Sequence, residues 1–271
     1  MNLFATFQSD FMRQALFAGL IAGGMCAYIG VYAVLKRFVF VGVALAELSA
    51  AGVALAILIG LSPMGVAVAF VAAGVALFSV RWSPRRVPNE SYIGIGYAFA
   101  AALSILLIAK SAKGESQMLE LLYGNVLTVS PRETLEMLGV FVVVAAIHSL
   151  FGRVFVGVSF DPDFAETLGF RARGWNLLLY LTVGVVIAYA IRSVGVLFTF
   201  GMLVLPATAA LLLVNRLKSA FLLAPVLAVV PVVLGLHLSL KYDLPGSAAI
   251  VAISFALLIP AYLAHRFRHR G

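Results

Sequence analysis

Apolar residues run along this chain in long unbroken stretches, at about 13–35, 41–60, 63–80, 92–109, 134–155, 174–191, 194–214, 219–239 and 246–264. The stretches are bounded by charges or by Gly and Pro clusters. A helix needs about 20 such residues to cross the roughly 30 Å hydrocarbon core of a bilayer. The pattern predicts an all-α integral membrane protein, a bundle of about eight or nine transmembrane helices forming a single domain over 1–271. Membrane β-barrels require polar–apolar alternation, and none is present. The short turns at Leu61-Ser62-Pro63 and at 192–194 leave room for re-entrant pieces. Pro206, together with Gly201, predicts a broken or kinked helix within 194–214.

Composition sharpens the class. The chain is 63% hydrophobic and 11% charged, whereas soluble domains carry about 25% charged residues. That is too little charge to cover a soluble surface. The net charge of +8 does not imply nucleic acid, because the basic residues sit in short inter-helix segments and the tail. With the N-terminus outside, 13 Lys and Arg face the cytoplasm and 6 face outward, the bias that orients membrane proteins. The single cysteine, Cys26, allows neither an intrachain disulfide nor a thiol metal cluster. No cleavable leader is expected, since the first apolar run is too long and lacks a cleavage site.

Two inter-helix segments exceed a turn. The outer one, 110–133, contains an amphipathic stretch at Met118–Asn125. The inner one, 156–173, carries a helix start: Asp161 as N-cap, Pro162 at the first helical position, and acidic Asp163 and Glu166 in the first turn. Gly169 supplies the stop. On these caps alone, two readings stand side by side, an ordinary interfacial helix and a docking element for a cytoplasmic ATPase.

Glu47 is the one acidic residue well inside an apolar run, about 9 Å from the start of its span. An ionised group at such depth costs on the order of 2.5–3.5 kcal/mol, so it normally faces a pathway or a partner. The alternative is a protonated carboxyl in a helix seam lined by Ala44, Ala46, Ala50, Ala51 and Gly52. His148 and His237 stand alone and read as structural, while His265 and His269 belong to the basic tail. Nucleotide-binding GxxxxGK[ST] and metalloprotease HExxH motifs are missing, so the chain is not expected to be an enzyme.

Five ordered blocks resemble the permease family of ABC importers for zinc, manganese or iron. They are GVYAVLKRFVFVGVALAELSAAGVALA (30–56), NESYIGIGYAFAAALSILLI (89–108), ELLYGNVLTVSP (120–131), FDPDFAETLGF (160–170) with SVGVLFTFGMLVLPATAALLL (193–213), and DLPGSAAIV (243–251). The resemblance implies that 160–170 is a coupling helix in which Asp161, Pro162, Asp163, Ala165, Glu166, Leu168 and Gly169 engage the ATPase. Ala165 and Leu168, three residues apart, are expected to share the docking face. The family places an Asp and, four residues later, a His on the metal path; here those positions are Val43 and Glu47. A lone carboxylate suits harder ions such as manganese or iron.

The resemblance further implies a multi-pass bacterial inner-membrane protein without a cofactor of its own, which moves a divalent metal ion. The implied partners are a cytoplasmic ABC ATPase, an extracytoplasmic metal-binding protein docking around 110–133, a second copy of the chain and membrane lipid, with no nucleic acid. Two rivals are an ABC permease for a chelated metal or other small molecule, and an ATP-independent secondary transporter or channel using Glu47.

Overall fold

In a bilayer every backbone N–H and C=O must be satisfied within its own segment, so apolar runs of this length have one solution, the helix. A computed structural model describes residues 6–36, 39–79, 89–110, 126–160 and 162–268, and among them there is no strand. The helices are α1 (Asp10–Leu35), α2 (Val39–Ile59), α3 (Pro63–Ser79), α4 (Asn89–Ala109) and α5 (Pro131–Phe160). They continue with α6 (Pro162–Thr167), α7 (Ala172–Val194), α8 (Val196–Leu213), α9 (Leu217–Tyr242) and α10 (Gly246–Arg268). Eight of these are long and apolar enough to cross a membrane; α3 is apolar but shorter. The amphipathic stretch expected at Met118–Asn125 lies outside the described residues, as do Asp161 and His269.

Two compact units emerge, and each mixes segments distant in sequence. The first comprises Met1–Val34, Glu120–Leu138 and Ser193–Gly271. Its helices approach closely because glycine removes the side chain at the contact. A Cβ on Gly30 of α1 would lie 1.7 Å from the Leu203 carbonyl oxygen of α8, and one on Gly235 of α9 would lie 2.6 Å from the Ile250 Cα of α10. Side chains then close the helix ends. Ser247 donates to the Val194 carbonyl (3.1 Å), while Arg268 donates to the Leu213 carbonyl at the C-terminus of α8 (2.7 Å). His265 Nδ1 sits 3.0 Å from the neighbouring Leu212 carbonyl, so two residues of the basic tail cover carbonyls that helix termini leave open.

Helix α8 runs through Pro206 as one α-helix, which corrects the expected break. In an apolar span, unwinding would expose more unpaired backbone than the one hydrogen bond proline removes. The interruption falls instead at Gly195, φ 87°, between α7 and α8. At the other end of α9, Asp243 takes the left-handed conformation (φ 53°), and Leu244 N–H closes the turn on the Ser239 carbonyl (3.0 Å).

The second unit comprises Leu35–Leu119 and Gly139–Arg192. Here α2 packs on α3 backbone to backbone: a Cβ on Gly52 would lie 2.8 Å from the Ala67 Cα. Gly184 of α7 accepts the Val71 side chain of α3 in the same way. The 30 residues of α5 reach Phe160, about 45 Å, so the expected segment 156–173 is helical for its first five residues. Its apolar sequence Val156-Gly157-Val158-Ser159-Phe160 simply prolongs the helix.

Candidate functional site

Helix α2 places Glu47 in the middle of an apolar, small-residue stretch. The side chain is 7% exposed, and Ala44, Leu45, Ala46, Ala50 and Ala51 around it in sequence are buried. No ion pair or hydrogen bond from another described residue engages its carboxylate. Val43 lies one turn earlier on the same face and is half-buried. Among the described residues no group of three or more His, Cys, Asp and Glu side chains is positioned to hold a metal. Glu47 thus offers a hard carboxylate donor within the span, and it belongs to no cluster of three or more such side chains among the described residues.

Each of the two histidines read as standing alone meets a threonine hydroxyl. His148 is buried on α5, with Nε2 2.9 Å from the Thr182 hydroxyl of α7. That hydroxyl gives its own proton to the Leu179 carbonyl (2.8 Å), so it accepts from His148 Nε2–H. In the first unit His237 Nδ1 lies 2.7 Å from the buried Thr6 hydroxyl.

Helix α6 is the second element of interest, and it is shorter than the expected 161–169. It ends in the arrangement its glycine foretold: Gly169 has φ 85°, Gly169 N–H bonds the Glu166 carbonyl (3.0 Å) and Phe170 N–H bonds the Ala165 carbonyl (3.1 Å). These paired bonds form a Schellman motif, which requires a left-handed residue. Glu166 is exposed and Leu168 is 61% exposed, whereas Ala165 is 4% exposed and packs with Val158 and Ala172. Ala165 and Leu168, expected on one face, do border the same cleft, but they differ in cover. Ala165 seats α6 on α5 and α7, and Leu168 is left largely uncovered. An open cleft of about 260 Å³ beside the helix is lined by Arg153, Val154, Gly157, Ala165, Leu168 and Phe170. The side chains of Pro162 and Asp163, like Asp161, lie outside the described residues.

A third feature was not read from the sequence. Lys36, immediately after α1, donates from Nζ to Asn176 Oδ1 of α7. The same ammonium lies 5.2 Å from the Tyr180 ring centroid, within cation–π range. It forms no ion pair among the described residues. Burial pushes its amine down to about 8. Next to Asn176, the Trp175 ring meets Phe151 (5.1 Å), Phe155 (5.9 Å) and Phe170 (6.4 Å), which ties the base of α7 to α5 and to the turn that follows α6.

Residues 8–265 match the model of the ABC 3 transport family. A manganese transport system membrane protein, MntC, of Halalkalibacterium halodurans is 32% identical over 254 residues, 93% of this chain and 87% of that protein. A probable iron transport system membrane protein of Haemophilus influenzae is 25% identical over 263 residues, 96% of this chain and 92% of that protein. Among solved structures, PsaBC from Streptococcus pneumoniae in complex with Fab matches with a TM-score of 0.87 at 24% identity, over 98% of this chain and 97% of that one.

Proposed function

Because the chain belongs to the ABC 3 transport family, we propose that it is the permease subunit of an ATP-driven importer moving a divalent transition metal ion into the bacterial cytoplasm. Manganese or iron is the cargo this reading favours over zinc. The observation that carries it is the Glu47 carboxylate, buried mid-span without a charged companion among the described residues. A single hard oxygen donor suits Mn²⁺ and Fe²⁺ better than it suits Zn²⁺, which prefers nitrogen and sulfur. The relatives named for manganese and iron support the same choice. Two copies of the chain enclose the path. A metal-loaded binding protein delivers cargo at the outer face, and α6 with Leu168 and Glu166 docks on the separate ATPase subunit that supplies the energy. Alternating access then moves the ion past Glu47.

The test is ATP-dependent uptake of radioactive manganese(II) into proteoliposomes holding the chain with its ATPase and binding protein. Glu47→Gln keeps the volume and removes the anionic donor, so uptake is expected to fall about tenfold or more while the complex remains assembled. Uptake that proceeds without ATP overturns the ABC reading. Parental uptake by Glu47→Gln removes Glu47 from the path.

A further inference from the structure

The residue that leads into the Glu47 helix is itself fastened to the residue block on which α6 sits. Lys36 precedes the start of α2 by three positions, and Glu47 lies about 12 Å further along that helix. Asn176 and Tyr180, which receive Lys36, are four residues apart on the first turns of α7 and so share one face. The base of α7 is not free to move alone. Ala172 packs with Ala165 of α6 and Val158 of α5, and Trp175 packs against Phe170, Phe155 and Phe151. A displacement of α6 is therefore shared with the first turns of α7, and Lys36 grips those turns.

The chemistry of the grip is unusual for an anchor. A fixed joint at the end of a membrane helix is most simply made from apolar side chains or from an ion pair. Lys36 instead presents a half-buried ammonium to a neutral amide and a ring face, with no ion-pair partner among the described residues. The long flexible lysine stem and a neutral acceptor make a contact that can break and re-form without leaving a buried anion behind.

We propose that Lys36 is a positioning residue, a releasable latch that ties the start of the Glu47 helix, through Asn176 and Tyr180, to the base of α7, so that movement of α6 reaches the metal path. The inference rests on the function proposed above, and it supplies a two-state element that both ends of the transport cycle can bias.

The experiment measures manganese(II) uptake and ATP hydrolysis by the reconstituted complex and takes their ratio. Lys36→Met keeps the stem and removes the charge and donor. Its hydrolysis is expected to stay within about twofold of the parent while uptake per ATP falls about tenfold, the range one residue in a coupling chain can command. Lys36→Arg, which retains a cation and donors, is expected to recover at least half of the parental ratio. Asn176→Asp turns the latch into an ion pair that does not release, so it also lowers the ratio although it strengthens the contact. Parental ratios in Lys36→Met, or uptake and hydrolysis that fall together in proportion to assembled complex, overturn the latch. Should Lys36→Met not assemble, Asn176→Ala carries the same test, and failure of both to assemble marks a role in folding only and overturns the proposal. A parent complex without ATP-driven manganese uptake defeats the functional reading itself, a result distinct from any of these.

Discussion

At Gly30 the fold depends on one missing atom. A methyl group there would sit 1.7 Å from a backbone carbonyl oxygen of α8, and backbone cannot yield as a flexible side chain can. Gly30→Ala is therefore expected to destabilise the first unit by about 3 kcal/mol or more, the upper range for overpacking, seen as a lower melting temperature in detergent. An unchanged melting temperature would mean that α1 and α8 are further apart. Glycine in an apolar run does not by itself mark a close contact, since Gly24 of the same helix meets nothing within 4 Å, and the partner 173 residues away carries no local signal. Legibility also separates Glu47 from Lys36. A carboxylate among alanines stands out on reading the chain, whereas Lys36 looks like any loop cation until folding brings Asn176 to it. Burial holds the Lys36 amine near 8, below the roughly 10.4 of a solvated lysine. Between those values the unfolded chain binds the proton that the folded one has released, so stability rises with pH there. The charge penalty is fully present below pH 8. Melting temperature measured from pH 7.5 to 9.5 is thus expected to climb more in the parent than in Lys36→Met. Parallel curves would show that Lys36 is solvated.

Among the elements, α6 shows both what local sequence determines and where it stops. Its proline start and its glycine end are chemical requirements of a helix terminus, and both were legible. Which face turns outward was not, because a helix of six residues has no periodicity to read and its orientation is set by Val158 and Ala172. The consequence is a pair of opposite expectations. Leu168→Glu alters an exposed side chain and should abolish co-purification of the ATPase while leaving the permease as stable as the parent. Ala165→Arg forces a cation into the seat of α6 and should lower thermal stability, with loss of the ATPase only as a by-product. If Leu168→Glu retains the ATPase at parental stoichiometry, α6 is not the docking element. Helix α5 carries a comparable lesson at its start. Ser130 and Glu133 bond reciprocally across the N-terminus (3.0 and 3.2 Å), with Pro131 between them. The sequence Ser-Pro-Arg-Glu is a capping box that fixes where the helix begins, a signal that hydropathy alone passes over.

For the whole molecule, the open question in the hydropathy pattern is α3. Its 17 residues span about 26 Å, slightly less than the roughly 30 Å core, a mismatch a bilayer absorbs by thinning. The charge bias barely discriminates. With α3 crossing, 13 basic residues face inward and 6 outward; with α3 re-entrant, only Arg13 and the pair Lys36 and Arg37 change sides, giving 12 and 7. The Lys36–Asn176 hydrogen bond is the stronger evidence. If α3 turned back, Lys36 would lie on the opposite side of the membrane from the start of α7, and no hydrogen bond reaches across a bilayer. With α2, α4 and α5 crossing, the contact calls for α3 to cross as well, which puts the start of α2 and the start of α7 at the same surface. Cysteine accessibility checks the result directly, because the native Cys26 is fully buried and leaves a silent background. In right-side-out vesicles a membrane-impermeant maleimide is expected to label Leu61→Cys and Lys241→Cys. Glu166→Cys and Arg216→Cys should react only once the inner face is opened. Labelling of Leu61→Cys from the inner face alone would return α3 to a re-entrant piece and break the link between Lys36 and α7. Reversal at all four positions would leave the crossing of α3 intact but turn the molecule over, removing α6 from the cytoplasm and with it the docking of any ATPase.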